Sequence, residues 1–247
     1  MDEPIEVLAS EPGHPPPPPP REPFWGYTDV LAFLGMLLPC FFVAFGALPW
    51  IAHLDTRAHP WQVVPEQMVF YGLLLGLLAL MFRLQYDRPL WRSLGWVAMR
   101  IPPAWPIVAG VLTGIAVSLI GVLIQVPTKD NPMTKLLESP GATVPIAIFG
   151  VTIGPLIEEL VFRGFLQPLF ARNLGAVAAI LAANIPFGVL HYAEYGNSWR
   201  HVVVIMLAGI AFGTMRQATG STRASTLMHA SYNALFFYAL FGAKGRH

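Results

Sequence analysis

Charged side chains are scarce in this chain. They make up 12% of its 247 residues, while 55% are hydrophobic; soluble proteins carry about 25% charged residues. A soluble domain so poor in charge would aggregate, so the composition implies a protein that crosses the membrane several times. Short segments of strict polar–apolar alternation are also missing, which excludes a transmembrane β-barrel. The apolar runs are continuous, and in lipid only helices satisfy the backbone of such runs. The lone cysteine, Cys40, allows no intramolecular disulfide and reads as a small buried hydrophobe. A basic excess is absent as well: the net charge is +1, which gives no footprint for nucleic acid. Neither HExxH nor GxSxG occurs, so the sequence offers no local signature of a zincin or a serine hydrolase.

Proline is concentrated at one end. Residues 1–26 are acidic and contain six consecutive prolines, Pro15 to Pro20. No signal-peptide pattern is read there, and so proline-dense a stretch buries no core, so a solvated, disordered tail is expected. Seven apolar windows follow, at about 27–52, 64–84, 103–126, 144–171, 175–193, 201–217 and 224–242. The fold class expected is therefore all-α, a polytopic transmembrane bundle of seven to eight spans with a membrane-embedded polar cavity. Residues 27–126 form its N-terminal helices. The connector RPLWRSLGWVAMRIPP, with Arg88, Arg92 and Arg100 among Trp and Leu, predicts an interfacial amphipathic helix near 88–102. Gly72 and Gly76, Gly110 and Gly114, and Gly209 and Gly213 stand at helix-packing spacing. The densest loop arginines, between the second and third spans, predict a cytoplasmic N-terminus in a cell membrane.

Against this background, Glu158, Glu159 and Arg163 stand inside the run IFGVTIGPLIEELVFRGFLQPLF. An ionisable group at bilayer depth costs between ~2.5 and ~17 kcal/mol depending on the scale, so such residues face a protein interior and mark a site. On a helix, i and i+4 share a face while i and i+1 diverge by about 100°. Glu159 and Arg163 are thus placed to pair as structural support, and Glu158 is left as the reactive carboxylate. Gly154 and Pro155 upstream loosen the helix. Two histidines are embedded: His191, four residues after Phe187 in the fifth window, and His229, four before Asn233 in the seventh. A desolvated carboxylate is a general base for water, His191 can hold that water, and His229 with Asn233 offers N–H donors to an oxyanion. Glu158, His191 and His229 are equally the ligand set of a catalytic zinc site, so zinc and a metal-free mechanism are both compatible. Simple span counting puts the two histidines at opposite leaflets, so their convergence requires short or tilted helices.

The ordered set EExxxR at Glu158–Arg163, FxxxH at Phe187–His191 and HxxxN at His229–Asn233 resembles the CPBP family of intramembrane proteases. That family includes CAAX prenyl endopeptidases and bacteriocin-processing or immunity relatives (Abi). The resemblance covers about residues 140–242, with Gly220 and Ser221 in further agreement. It implies an intramembrane endopeptidase acting on a peptide or membrane-protein substrate. Glu158 and His191 would activate water, His229 and Asn233 would complete the catalytic set, and Glu159, Arg163 and Phe187 would support it. The alternative function is a non-proteolytic membrane scaffold or bacteriocin-immunity protein. A proton-coupled transporter would show broken, inverted-repeat segments, and residues 27–126 contain no counterparts.

Overall fold

The computed structural model describes residues 22–128, 130–139 and 141–244, with residues 243 and 244 described by their backbone alone. The proline-rich tail lies outside them up to residue 21, as do Arg21, Lys129 and Arg246 of the loop-charge pattern. Among the described residues the protein is helical and contains no strand. The helices are α1 (Tyr27–Ile51) and α2 (Pro60–Tyr86), the single turn α3 (Leu90–Ser93), α4 (Ala104–Leu123), α5 (Pro132–Glu138), α6 (Thr143–Leu174), α7 (Ala176–Leu190), α8 (Trp199–Thr219) and α9 (Thr222–Lys244). Each of the seven apolar windows is one of these helices. Five of them, α1, α2, α4, α6 and α8, are long and apolar enough to cross a membrane, while apolar α7 has only 15 residues. Leu38, Phe42, Val122 and Leu123 stay exposed on the outer surface, as suits a face against hydrocarbon.

The first two helices are fastened to α6 by aromatic packing. Trp25 stacks on Phe82 at 5.2 Å and on Phe165 at 5.7 Å, and its indole N–H donates to the Phe165 carbonyl at 3.1 Å. Tyr86 donates to Asp29 at 2.8 Å, tying the end of α2 to the start of α1. On the other side α4, α8 and α9 pack against one another. Gly110 and Gly114 permit this: a Cβ on Gly110 would sit 2.2 Å from the Met228 carbonyl, and one on Gly114 would sit 2.8 Å from Leu235. Gly209 and Gly213 are similarly filled by neighbouring side chains. Gly72 and Gly76 are not, since a Cβ on either meets nothing within 4 Å.

The expected interfacial helix near 88–102 is a correction. Only Leu90–Ser93 is helical, because Gly95 turns the chain at φ +73° and Pro102 and Pro103 follow. The connector is stitched to the α8–α9 turn. Thr222 N–H donates to the Gly95 carbonyl at 2.8 Å, its hydroxyl to Leu94 O at 2.5 Å, and the Ser221 hydroxyl to Val97 O at 2.8 Å. Leu94 is fully buried, and α6 makes room for it at Gly164, where a Cβ would lie 2.7 Å from the Leu94 carbonyl.

A Cβ on Gly95 would sit 2.5 Å from an Arg216 nitrogen, in a conformation that disfavours side chains. Gly95→Ala is expected to lower stability by about 1–3 kcal/mol, measured by unfolding in mixed detergent micelles. Gly72→Ala, with open space around it, is expected to leave stability unchanged.

Candidate active site

The polar constellation is assembled by α6, α7, α8 and α9. Helix α6 is not uniform. At Thr152 the backbone leaves helical geometry (φ −119°, ψ −79°), and Leu160–Leu166 widens into a π-helical turn. Single π turns inside α-helices are frequent at functional sites. Glu158 and Glu159 lie between these irregularities, just before the widened turn that carries Arg163.

Glu159 and Arg163 are both fully buried and form an ion pair at 3.2 Å. The guanidinium also donates to Asn184 Oδ1 and to the Gly209 carbonyl, both at 2.9 Å, and lies 4.2 Å from the centre of the Phe187 ring. One side chain therefore joins α6 to α7 and α8. Asn184 is held in turn by donating to Ile180 O at 2.7 Å, and buried Gln167 donates to Gly213 O at 3.0 Å. Asn184 and Gln167 escaped the sequence reading, although their signal was there: an uncharged polar residue in an apolar run, one of them four positions beyond Arg163.

His229 lies between the two glutamates. Its Nδ1 is 3.1 Å from Glu159 Oε1, and its Nε2 is 3.9 Å from Glu158 Oε2. A carboxylate only accepts, so Nδ1 carries the proton in the Glu159 bond. Phe212 stacks on the His229 ring at 4.4 Å and 19°, fixing its plane. Glu158 differs from its neighbour as the helical geometry predicted, with a side chain 22% exposed against 0% for Glu159.

His191 is the residue that caps the C-terminus of α7. Its own N–H bonds to Gly188 O at 3.1 Å, which frees the Phe187 carbonyl from the regular i, i+4 ladder. The imidazole Nδ1 takes that carbonyl at 2.8 Å, so Nδ1 is the donor and Nε2 is left as an acceptor when the ring is neutral. FxxxH spacing thus has a local cause. Phe187 touches both histidine rings, 5.2 Å from His191 and 6.0 Å from His229. The leaflet conflict resolves because α7 rises only about 22 Å and His191 sits at its end.

Asn233, the last residue of the set, donates to the Gly150 carbonyl at 2.7 Å, next to the break in α6. One of its amide hydrogens is therefore committed to tying α9 to α6. Glu194, in the loop after α7, was not foreseen. Burial pushes its carboxyl above the usual range; His191 opposes this shift and Glu158 adds to it. It belongs electrostatically to the same site. Among the described residues no three His, Cys, Asp or Glu side chains form a metal-holding group. Glu158, His191 and His229 therefore do not make a ready three-ligand shell as they stand.

Residues 140–235 match the family model described as Rce1-like, a type II CAAX prenyl endopeptidase. Over this segment the chain is similar to that family. It contains all of α6, α7 and α8 and the part of α9 that bears His229 and Asn233, so every residue of the three motifs falls within the matched region. Searches of curated proteins and of solved structures return no match.

Because Glu159 and Arg163 bury opposite charges, removing one partner strands the other. Glu159→Gln is expected to cost about 3–5 kcal/mol of stability, and replacing both residues by apolar side chains of similar volume is expected to recover most of that. Equilibrium unfolding of the single and double variants checks this; equal losses in both would remove the ion pair from its supporting role.

Proposed function

We propose that this chain is an intramembrane endopeptidase in which Glu158 is the general base. The observation that carries this reading is the asymmetry of the glutamate pair. Glu159 is sealed and held by Arg163 and His229, whereas Glu158 is partly open, with a histidine nitrogen 3.9 Å away. A gap of 3.9 Å is too long for a direct hydrogen bond, so Glu158 is not committed to His229 as Glu159 is.

In the proposed reaction Glu158 takes a proton from a water molecule whose other hydrogen is held by His191 Nε2. The water oxygen bonds to the scissile carbonyl carbon. The negative charge that develops on the carbonyl oxygen is met by the free amide N–H of Asn233 and, when its ring is protonated, by His229 Nε2–H. The C–N bond then breaks, and the proton held by Glu158 passes to the departing amine. Electrostatics support this division of roles: Arg163 balances one of the two carboxylates, and the remaining negative charge rests with the more open Glu158. No step is routed through a metal, since the three candidate ligands are not gathered into a shell. The substrate class that fits is the tail of a membrane-anchored protein or peptide.

The test uses full-length protein in nanodiscs with two membrane-anchored peptides, one ending in a prenylated CAAX motif and one not prenylated. Cleavage of either by the wild-type protein is expected, and Glu158→Gln should reduce turnover by roughly 10²–10⁴-fold with the unfolding midpoint unchanged. Full turnover by Glu158→Gln would overturn its assignment as base, and no cleavage of any such peptide would favour the scaffold reading. Turnover is expected to survive exhaustive chelation; its loss, with restoration by zinc, would move Glu158, His191 and His229 to metal ligation.

A further inference from the structure

A polar cavity reaches Arg163 from the side of residues 22–25. Its volume is about 350 Å³, and it opens among the start of α1, the end of α6 and the end of α8. The side chains that matter are Arg163 and Gln167 in its floor and Arg172, Arg216, Gln217 and Glu22 around its wall. Glu158, His191, His229 and Asn233 do not line it, and of the motif residues Arg163 does, so the cavity adjoins the candidate active site through that one side chain.

Charge and geometry in this cavity select an anion. Glu159 already balances Arg163, which leaves Arg172 and Arg216 against Glu22, an excess of one positive charge. The arginines are held in place by the protein. Arg172 donates to the Pro23 carbonyl at 2.6 Å and to the Trp25 carbonyl at 3.2 Å, and Arg216 Nε donates to the Thr222 hydroxyl at 3.1 Å. Each guanidinium keeps further N–H groups beyond these bonds, and such fixed planar forks match phosphate oxygens. In the floor, the Arg163 Nε–H donor is buried without a hydrogen-bond partner among the described residues; Gln167 Oε1, an acceptor that an anion does not satisfy, is also unpartnered there.

Position identifies what carries the phosphate. The same end of the bundle holds Arg88 against Phe24, Arg223 against Trp96, and the exposed Arg92 and Arg100. This is a basic, aromatic belt at the rim of an apolar bundle, the arrangement that meets lipid headgroups. We propose that this arginine-lined cavity binds the phosphate of an anionic phospholipid headgroup and so anchors the ends of α1, α6 and α8 to one leaflet. Because Arg163 forms both its floor and the support of Glu159, the bound lipid stabilises the half of the bundle that holds the glutamate pair.

The test spares Arg172, whose replacement would also release Pro23 and Trp25. Gln217 is exposed and lines the cavity, so Gln217→Glu places a negative charge there with little effect on packing. Arg100→Gln serves as a control on the same rim outside the cavity. Full-length protein is reconstituted in nanodiscs of phosphatidylcholine with and without phosphatidylglycerol, and the lipid retained after detergent extraction is counted by native mass spectrometry. The wild-type protein is expected to retain phosphatidylglycerol and to melt at a higher temperature with it. Gln217→Glu should retain about fivefold less, the effect of roughly one charge near an anionic surface, while Arg100→Gln retains as much as wild type. Equal loss in both variants would reduce the effect to general surface attraction and overturn the site. Equal stabilisation by inorganic phosphate in pure phosphatidylcholine would overturn the lipid assignment.

Discussion

Arg163 is the group on which the arrangement of α6, α7 and α8 depends. Its guanidinium sits in a fully buried position and is satisfied by partners on different helices: the Glu159 carboxylate on α6, the Asn184 side chain and Phe187 ring on α7, and the Gly209 carbonyl on α8. A cation at this depth tolerates few arrangements, because each lost partner costs desolvation energy that lipid cannot return. Gly209 shows how close the fit is: a Cβ there would lie 2.0 Å from Asn184 Oδ1 and 2.7 Å from an Arg163 nitrogen. The register of α6 against α7 and α8 is therefore set by the polar contacts of Arg163 and Gln167 more than by apolar packing, which in lipid discriminates weakly between registers.

The same contact separates the roles of two chemically identical neighbours. Fixing Glu159 on Arg163 turns the next carboxylate about 100° away, and His229, bonded to Glu159 through Nδ1, has its other nitrogen directed at Glu158. Glu159 is thus indirectly a positioning residue for the site: through His229 it sets the separation between an imidazole and the partly open carboxylate. Stacking of Phe212 on His229, and edge-on packing of Phe187 against both imidazoles beneath Arg163, restricts the remaining rotational freedom. Preorganisation of this kind is what a site gains from buried charge, even where the ion pair itself adds little net stability.

Much of this was legible in the sequence because helical periodicity in lipid leaves few alternatives. Seven apolar windows gave seven helices, and the i, i+4 rule placed Glu159 with Arg163. Three features were not legible, each for a physical reason. The connector over 88–102 had the composition of an interfacial helix, but hydrogen bonds from Ser221 and Thr222, more than a hundred residues away in the chain, and the positive φ of Gly95 fold it otherwise. The π turn over Leu160–Leu166 depends on how Arg163 must reach its partners, which no local pattern encodes. Gly72 and Gly76 share the spacing of the packed glycine pairs and differ only in having no neighbouring helix, a property of the assembled bundle rather than of the motif.

The length of α7 joins these observations to chemistry. A membrane hydrolase must bring water to a carboxylate that the bilayer would otherwise keep dry, and a histidine in mid-span, with its backbone fully bonded and lipid around it, would do little for that. At 15 residues, α7 is too short to cross a ~30 Å hydrocarbon layer, and it terminates at His191, its C-cap. Two consequences follow from that ending. The Phe187 carbonyl is released to orient the imidazole, leaving Nε2 free, and the chain continues as a loop carrying Glu194 into the same electrostatic field as Glu158. Loop backbone and an ionisable side chain at such depth are tolerable only where they line a hydrated space. The short helix is therefore what frees the His191 ring and the loop after it from a regular span, a condition that any water-using site among apolar helices would require.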